Sequence, residues 1–133
     1  MLLALGAAIM EPTTSPLVLV ADDNQDAADS LAIALSHFGC RAVAVYDAMD
    51  CLATATELHP DAIVLDLHMP GMNGLDAASR LQMLSSRPPL IAVTGDASPE
   101  AILRTKEVGF AAHWVKPIDP DKLADQIRAL ATA

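Results

Sequence analysis

Five short runs of apolar residues recur along the chain, at Leu17–Val20, Ala42–Val45, Ala62–Leu65, Leu90–Val93 and Ala111–Val115. Their length, and the absence of a polar residue at every second position, suit strands buried on both faces. After each comes a segment whose apolar residues return every three or four positions, the spacing of a helix with one buried stripe. In the first segment Ala28, Leu31, Leu35 and Phe38 share a stripe, and Gly39 stands where a helix stop belongs. The second aligns Ala48, Cys51, Leu52, Ala55 and Leu58 before His59-Pro60 ends it. The third aligns Leu75, Ala78, Leu81 and Leu84 before the turn "SSRPP", and the last aligns Leu123, Ile127 and Leu130. The fourth opens on Ser98-Pro99-Glu100, an N-cap with proline in the first turn. Its apolar face is thin, so it is expected to be the least firmly held helix.

Strict alternation of strand and helix predicts a parallel sheet with right-handed crossovers and helices on both faces. At 133 residues and 53% apolar content the chain is the size of one domain with a real core. Its eight Lys and Arg against seventeen Asp and Glu give a net charge of -9, which opposes direct binding to nucleic acid. Cys40 and Cys51 have no CxxC spacing and read as reduced thiols of a cytoplasmic protein. The opening "MLLALGAAIM" is about half of a membrane span and lacks the basic residues of a secretion signal. It reads as an appended segment, or as a short helix packing on the domain or a partner, followed by the linker "EPTTSP". The chain therefore divides into a leader and linker, residues 1–16, and one domain, residues 17–131.

In a sheet of this kind ligands sit beyond the carboxyl ends of the strands. The first strand runs into Asp22-Asp23, the third into Asp66, the fourth into Thr94, and the fifth into Lys116-Pro117. Taken singly, Asp22 and Asp23 suit the N-terminal end of the following helix, where the macrodipole favours acids. Taken together these residues converge on one cleft, where carboxylates about 4 Å apart would repel by roughly 4 kcal/mol per pair at an effective dielectric near 20. One lysine offsets part of that repulsion, and a hard divalent cation with oxygen ligands would offset the rest.

With these motifs in order, "VLVADDN", "IVLDLHMPGMNG", "IAVTGD" and "VKP", the chain resembles the receiver domain of two-component response regulators, the family of the bacterial chemotaxis response regulator. The resemblance implies a flavodoxin-like doubly wound (βα)5 fold whose five-stranded parallel sheet has the order 2-1-3-4-5. It implies that Asp66 is the phosphorylated nucleophile, receiving a phosphoryl group from a histidine kinase or histidine phosphotransfer protein rather than turning over a separate substrate. Mg²⁺, with Mn²⁺ as the alternative, is expected on Asp22, Asp23, Asp66 and the backbone carbonyl of His68. Lys116 is expected to contact the phosphoryl oxygens, and Pro117 to follow a cis bond. The resemblance further implies that Thr94 and His113, three before Lys116, form the switch pair. Family members commonly carry Tyr or Phe at the latter position, so an imidazole there would make the switched surface pH-sensitive. His68, Gly95 and Asp96 flank the site at positions linked in the family to acyl phosphate lifetime. Trp114 is expected to point away from His113.

A side-chain metal role for His68 is disfavoured because no HxxxH or HxxE spacing accompanies it. A haloacid-dehalogenase-like phosphatase would carry DxD after its first strand, and a cap domain for which there is no room. The stronger rival is a receiver-like interaction module in which phosphorylation is vestigial. Output is expected through an unknown downstream protein at residues 98–130, and that face or the apolar leader would equally serve a homodimer.

Overall fold

The computed structural model describes residues 15–69 and 74–131; the leader predicted at the N-terminus lies, up to residue 14, outside the described residues. Five strands, β1 (Leu17–Ala21), β2 (Arg41–Val45), β3 (Ala62–Asp66), β4 (Leu90–Thr94) and β5 (Ala112–Val115), alternate with five helices. The helices are α1 (Gln25–His37), α2 (Ala48–Leu58), α3 (Gly74–Leu81), α4 (Pro99–Val108) and α5 (Pro120–Ala131). All neighbouring strands are parallel and their order is β2-β1-β3-β4-β5, the doubly wound flavodoxin-like arrangement that the alternation and the resemblance imply. The start of the sheet is pinned where Leu17 N donates to the Asp61 carboxylate at 2.8 Å and Asp61 N to the Leu17 carbonyl at 2.7 Å.

The central strands β3 and β4 are buried throughout, as runs of unbroken apolar sequence require. Their successive side chains go to opposite layers. Leu19, Ala21, Ile63, Leu65, Leu90 and Ala92 pack under α2 and α3, while Val18, Val20, Ala62, Val64, Ile91 and Val93 pack under α1 and α5. Both cysteines are free and buried in these layers.

The helix ends follow local chemistry. Asn24 caps α1 by accepting from Ala27 N, Asp47 caps α2 by accepting from Asp50 N, and Ser98 caps α4 by accepting from Ala101 N. Helix α1 gives way to Gly39 at φ +94°, and His59 closes α2 in the left-handed region just before Pro60. Several expectations need correction. The stripe of α1 is Ala28, Ala32 and Leu35, because Phe38 falls on the C-cap and is exposed; Leu58 is likewise exposed at the end of α2. Helix α3 stops at Leu81, leaving Leu84 beyond it, and its inward face includes Ala77. Strands β3 and β4 each run one residue further than predicted, so Asp66 and Thr94 are the last strand residues.

Candidate functional site

Parallel pairing brings the carboxyl ends of β1, β3, β4 and β5 to one rim. Asp66 is in register with Val93, and Thr94, one step on, with Val115, while Leu67 N donates to the Val93 carbonyl and Lys116 N to the Thr94 carbonyl. The strand-end residues named from the sequence are thereby gathered. Oxygens of Asp22, Asp23 and Asp66 all lie within 4.8 Å of one another. Lys116 reaches over them, its Nζ 3.4 Å from Asp22 Oδ2 and 3.5 Å from Asp66 Oδ2. Both contacts are longer than a tight charge-assisted hydrogen bond, as expected for one ammonium shared between two acids.

Asp22, Asp66 and Thr94 are buried, at 8%, 6% and 1% exposure, whereas Asp23 is exposed. Asp22 is not the cap of α1, a task that falls to Asn24; its Oδ1 accepts instead from Asn24 N at 3.0 Å. Burial pushes the Asp22 carboxyl above its ordinary value, the Asn24 N–H lowers it, and the Asp66 charge raises it further. Burial alone would pull the Lys116 ammonium down, but the Asp66 and Asp22 charges outweigh it and raise it. Asp66 Oδ1 accepts from His68 N at 3.0 Å, which turns the following loop back over the carboxylate. The His68 ring is exposed and is not part of the acidic cluster.

Three carboxylates facing one ammonium leave negative charge uncompensated, and the donors are oxygens only. That chemistry fits a small hard cation such as Mg²⁺ or Mn²⁺ and does not suit a soft or imidazole-seeking metal. The Lys116–Pro117 peptide bond is cis, as anticipated. Thr94 Oγ1 accepts from Asp96 N at 3.1 Å, and Asp96 in turn accepts from Ser98 N, which holds its carboxyl below the ordinary range. Gly95 is exposed, and a side-chain carbon there would meet nothing within 4 Å, so the approach past Thr94 is open.

His113 and Trp114 do point to opposite layers. The indole N–H donates to the Gln126 side chain on α5, while the half-buried His113 ring turns toward α4, its Nδ1 3.0 Å from Thr105 Oγ1. Two residues went unread in the sequence. Thr105 is the one buried side chain of α4, and its signal was the inward spacing Ala101, Thr105, Val108. Gly74 opens α3 so close to the loop after Asp66 that a side-chain carbon would lie 2.6 Å from Leu67 Cα and 3.1 Å from the Asp66 carbonyl oxygen.

Residues 18–128 match the response regulator receiver domain family. The chain is 34% identical over 120 residues to the sensory/regulatory protein RpfC of Xanthomonas campestris, covering 87% of this chain and 16% of that protein. It is 33% identical over 117 residues to the transcriptional regulatory protein PrrA of Mycobacterium tuberculosis, covering 88% of this chain and 50% of that one. The chain thus spans half or less of these relatives. Among solved structures, chemotaxis protein CheY4 of Vibrio cholerae superposes with a TM-score of 0.81 at 27% identity, covering 87% of this chain and 98% of that one. The receiver domain of Francisella response regulator 1452 shares the fold at a TM-score of 0.83 and 24% identity, covering 89% and 98%.

Proposed function

The chain belongs to the response regulator receiver domains of two-component signal transduction, and from that premise we propose that its Asp66 accepts a phosphoryl group and thereby switches a partner-binding surface. The observation that carries this reading is the acidic rim itself: a buried carboxylate at the end of β3, two further acids within 4.8 Å, and a lysine reaching over them. In the transfer, a carboxylate oxygen of Asp66 forms a bond to phosphorus as the nitrogen–phosphorus bond of a phosphohistidine breaks, and the electron pair leaves with the imidazole. The donor is a histidine kinase or histidine phosphotransfer protein, and the chain does not turn over a separate substrate.

Little covalent work is asked of the protein, so its contribution is positioning and charge. Asp23, Asp66 and the His68 carbonyl would hold Mg²⁺ or Mn²⁺ directly, with Asp22 acting mainly through water. When bound, that ion supplies the positive charge that the single lysine lacks. Lys116 swings from its two carboxylates to the phosphoryl oxygens, and Thr94 donates its hydroxyl hydrogen to one of them while its oxygen still accepts from Asp96 N. Gly95, Asp96, His68 and Pro117 shape the approach and so bear on how long the acyl phosphate lasts. The signal leaves through residues 98–130 to a downstream protein, with a homodimer as the alternative use of that face. Residues 17–131 form the working unit. A cytoplasmic setting accords with the chemistry, and no described helix is long and apolar enough to cross a membrane.

Intact mass after incubation with Mg²⁺ and acetyl phosphate tests the reading. A phosphoryl-sized gain on the wild type that Asp66→Asn lacks supports it. No gain on the wild type favours a receiver-like interaction module instead.

A further inference from the structure

Helix α4 has ten residues and buries a single side chain, which is polar. Thr105 is 1% exposed, and its hydroxyl lies 2.8 Å from the Ile102 carbonyl and 3.0 Å from His113 Nδ1. The other ring nitrogen, Nε2, lies 3.3 Å from the Asp96 carbonyl oxygen, in the loop that joins Thr94 to α4. One imidazole therefore bridges three pieces of the fold: the strand that carries it, the helix beside it, and the loop leading from Thr94. Beside this bridge α4 borders a cavity of about 250 Å³ lined by Leu75, Thr94, Asp96 and Thr105 among others. With open space beside it and the half-buried Val108 packed on the neighbouring core layer, α4 has few apolar contacts, and its polar ones count for more.

We infer that Thr105, acting through His113, is a positioning residue for the switch: hydroxyl, imidazole and the Asp96 carbonyl form a latch that holds α4 and the β4–α4 loop in register with β5. The consequence for signalling rests on the phosphoacceptor reading above; the latch itself does not. A carbonyl oxygen only accepts, so Nε2 must carry the hydrogen. In the neutral ring Nδ1 is then an acceptor, and the single hydrogen of the Thr105 hydroxyl, which can also go to the Ile102 carbonyl 2.8 Å away, turns to Nδ1 at 3.0 Å to close the bridge. The latch thus fixes one tautomer of His113. Withdrawal of Thr94 toward a phosphorylated Asp66 pulls on Asp96, whose N–H is bonded to the Thr94 hydroxyl, and so loads the same bridge from its loop end.

Three forms of the full chain test this without a phosphodonor: wild type, Thr105→Val, which keeps the shape and removes the hydroxyl, and Thr105→Ser, which restores it. Long-range proton–nitrogen spectra at about pH 8, where a free imidazole is neutral, are expected to show His113 as the Nε2–H tautomer in the wild type and in Thr105→Ser. Amide hydrogen exchange across α4 is expected to quicken about 5-fold in Thr105→Val, the loss of one ordinary hydrogen bond, and to return to the wild-type rate in Thr105→Ser. An Nδ1–H tautomer in the wild type, or equal α4 exchange in all three, overturns the latch. With Mg²⁺ and beryllofluoride added, the wild-type His113 ring signals are expected to shift together with the amides around Asp66. Shifts around Asp66 with an unmoved ring overturn the coupling. Silence at both places counts against the phosphoacceptor reading, while the resting measurements still decide the latch.

Discussion

Helices α4 and α5 stand immediately before and after β5 in the chain, yet they are held in different ways. Helix α5 buries Leu123, Ala124 and Ile127 completely beneath the sheet. Helix α4 buries Thr105 alone, and its large apolar residues Ile102 and Leu103 are 37% and 57% exposed. The apolar contacts of α5 are short-ranged and numerous, so displacing it would cost much of the core energy. The polar contacts of α4 are few and directional, and water can replace them. On the proposed phosphoacceptor reading, α4 is the element that answers to a small change of charge at the rim, and α5 the one that stays in place when it does.

Substitutions that break or sharpen this contrast are ranked by expected effect. Ile127→Ala, which opens a cavity under α5, should cost about 3 kcal/mol in urea unfolding; a loss below about 1 kcal/mol would mean that α5 is no better anchored than α4. Gly74→Ala drives a methyl group into the Leu67 backbone and should cost about 2 kcal/mol. That test asks whether the loop behind Asp66 is as unyielding as α5. At the rim the sign reverses. Because the Asp22 carboxyl is raised, the folded chain holds that proton more tightly than the unfolded chain, so ionised Asp22 opposes folding at neutral pH. Asp22→Asn, without divalent cation, should therefore raise the melting temperature by about 3 °C at pH 7. The gain should vanish at about pH 3, where the acid is protonated in both states. Leu103→Ala should change stability by less than about 0.5 kcal/mol while weakening capture of any protein that binds the activated form.

The same contrast explains what could be read from the sequence. Asp66, Thr94 and Lys116 were legible because each ends an apolar run, and parallel pairing must bring such ends to one rim. The strand order came from the resemblance, because alternation fixes neither which strand lies in the middle nor which forms the edge. The helical spacing runs through Phe38, Leu58 and Leu84 and passes over Ala32, Ala77 and Ala124, which are buried. Alanine has too little hydrophobic area to announce burial, yet only a small side chain lets a helix approach a sheet closely. The pairing of Thr105 with His113 stayed hidden because it depends on how α4 lies over β5, which no local pattern encodes. Gly74 looked like an ordinary loop glycine. What demands it is the Leu67 backbone, seven residues earlier.

The two cysteines carry a practical consequence. Both thiols lie inside the core layers, and burial, with a smaller push from the Asp47 charge, raises that of Cys51 to about 12. Thiolate, the form that alkylating dyes attack, is thus scarce on the native protein. A fluorophore attached through a Leu103→Cys substitution would have almost no competition from the natural sulfurs, so motion of α4 could be followed by emission with both native residues left in place.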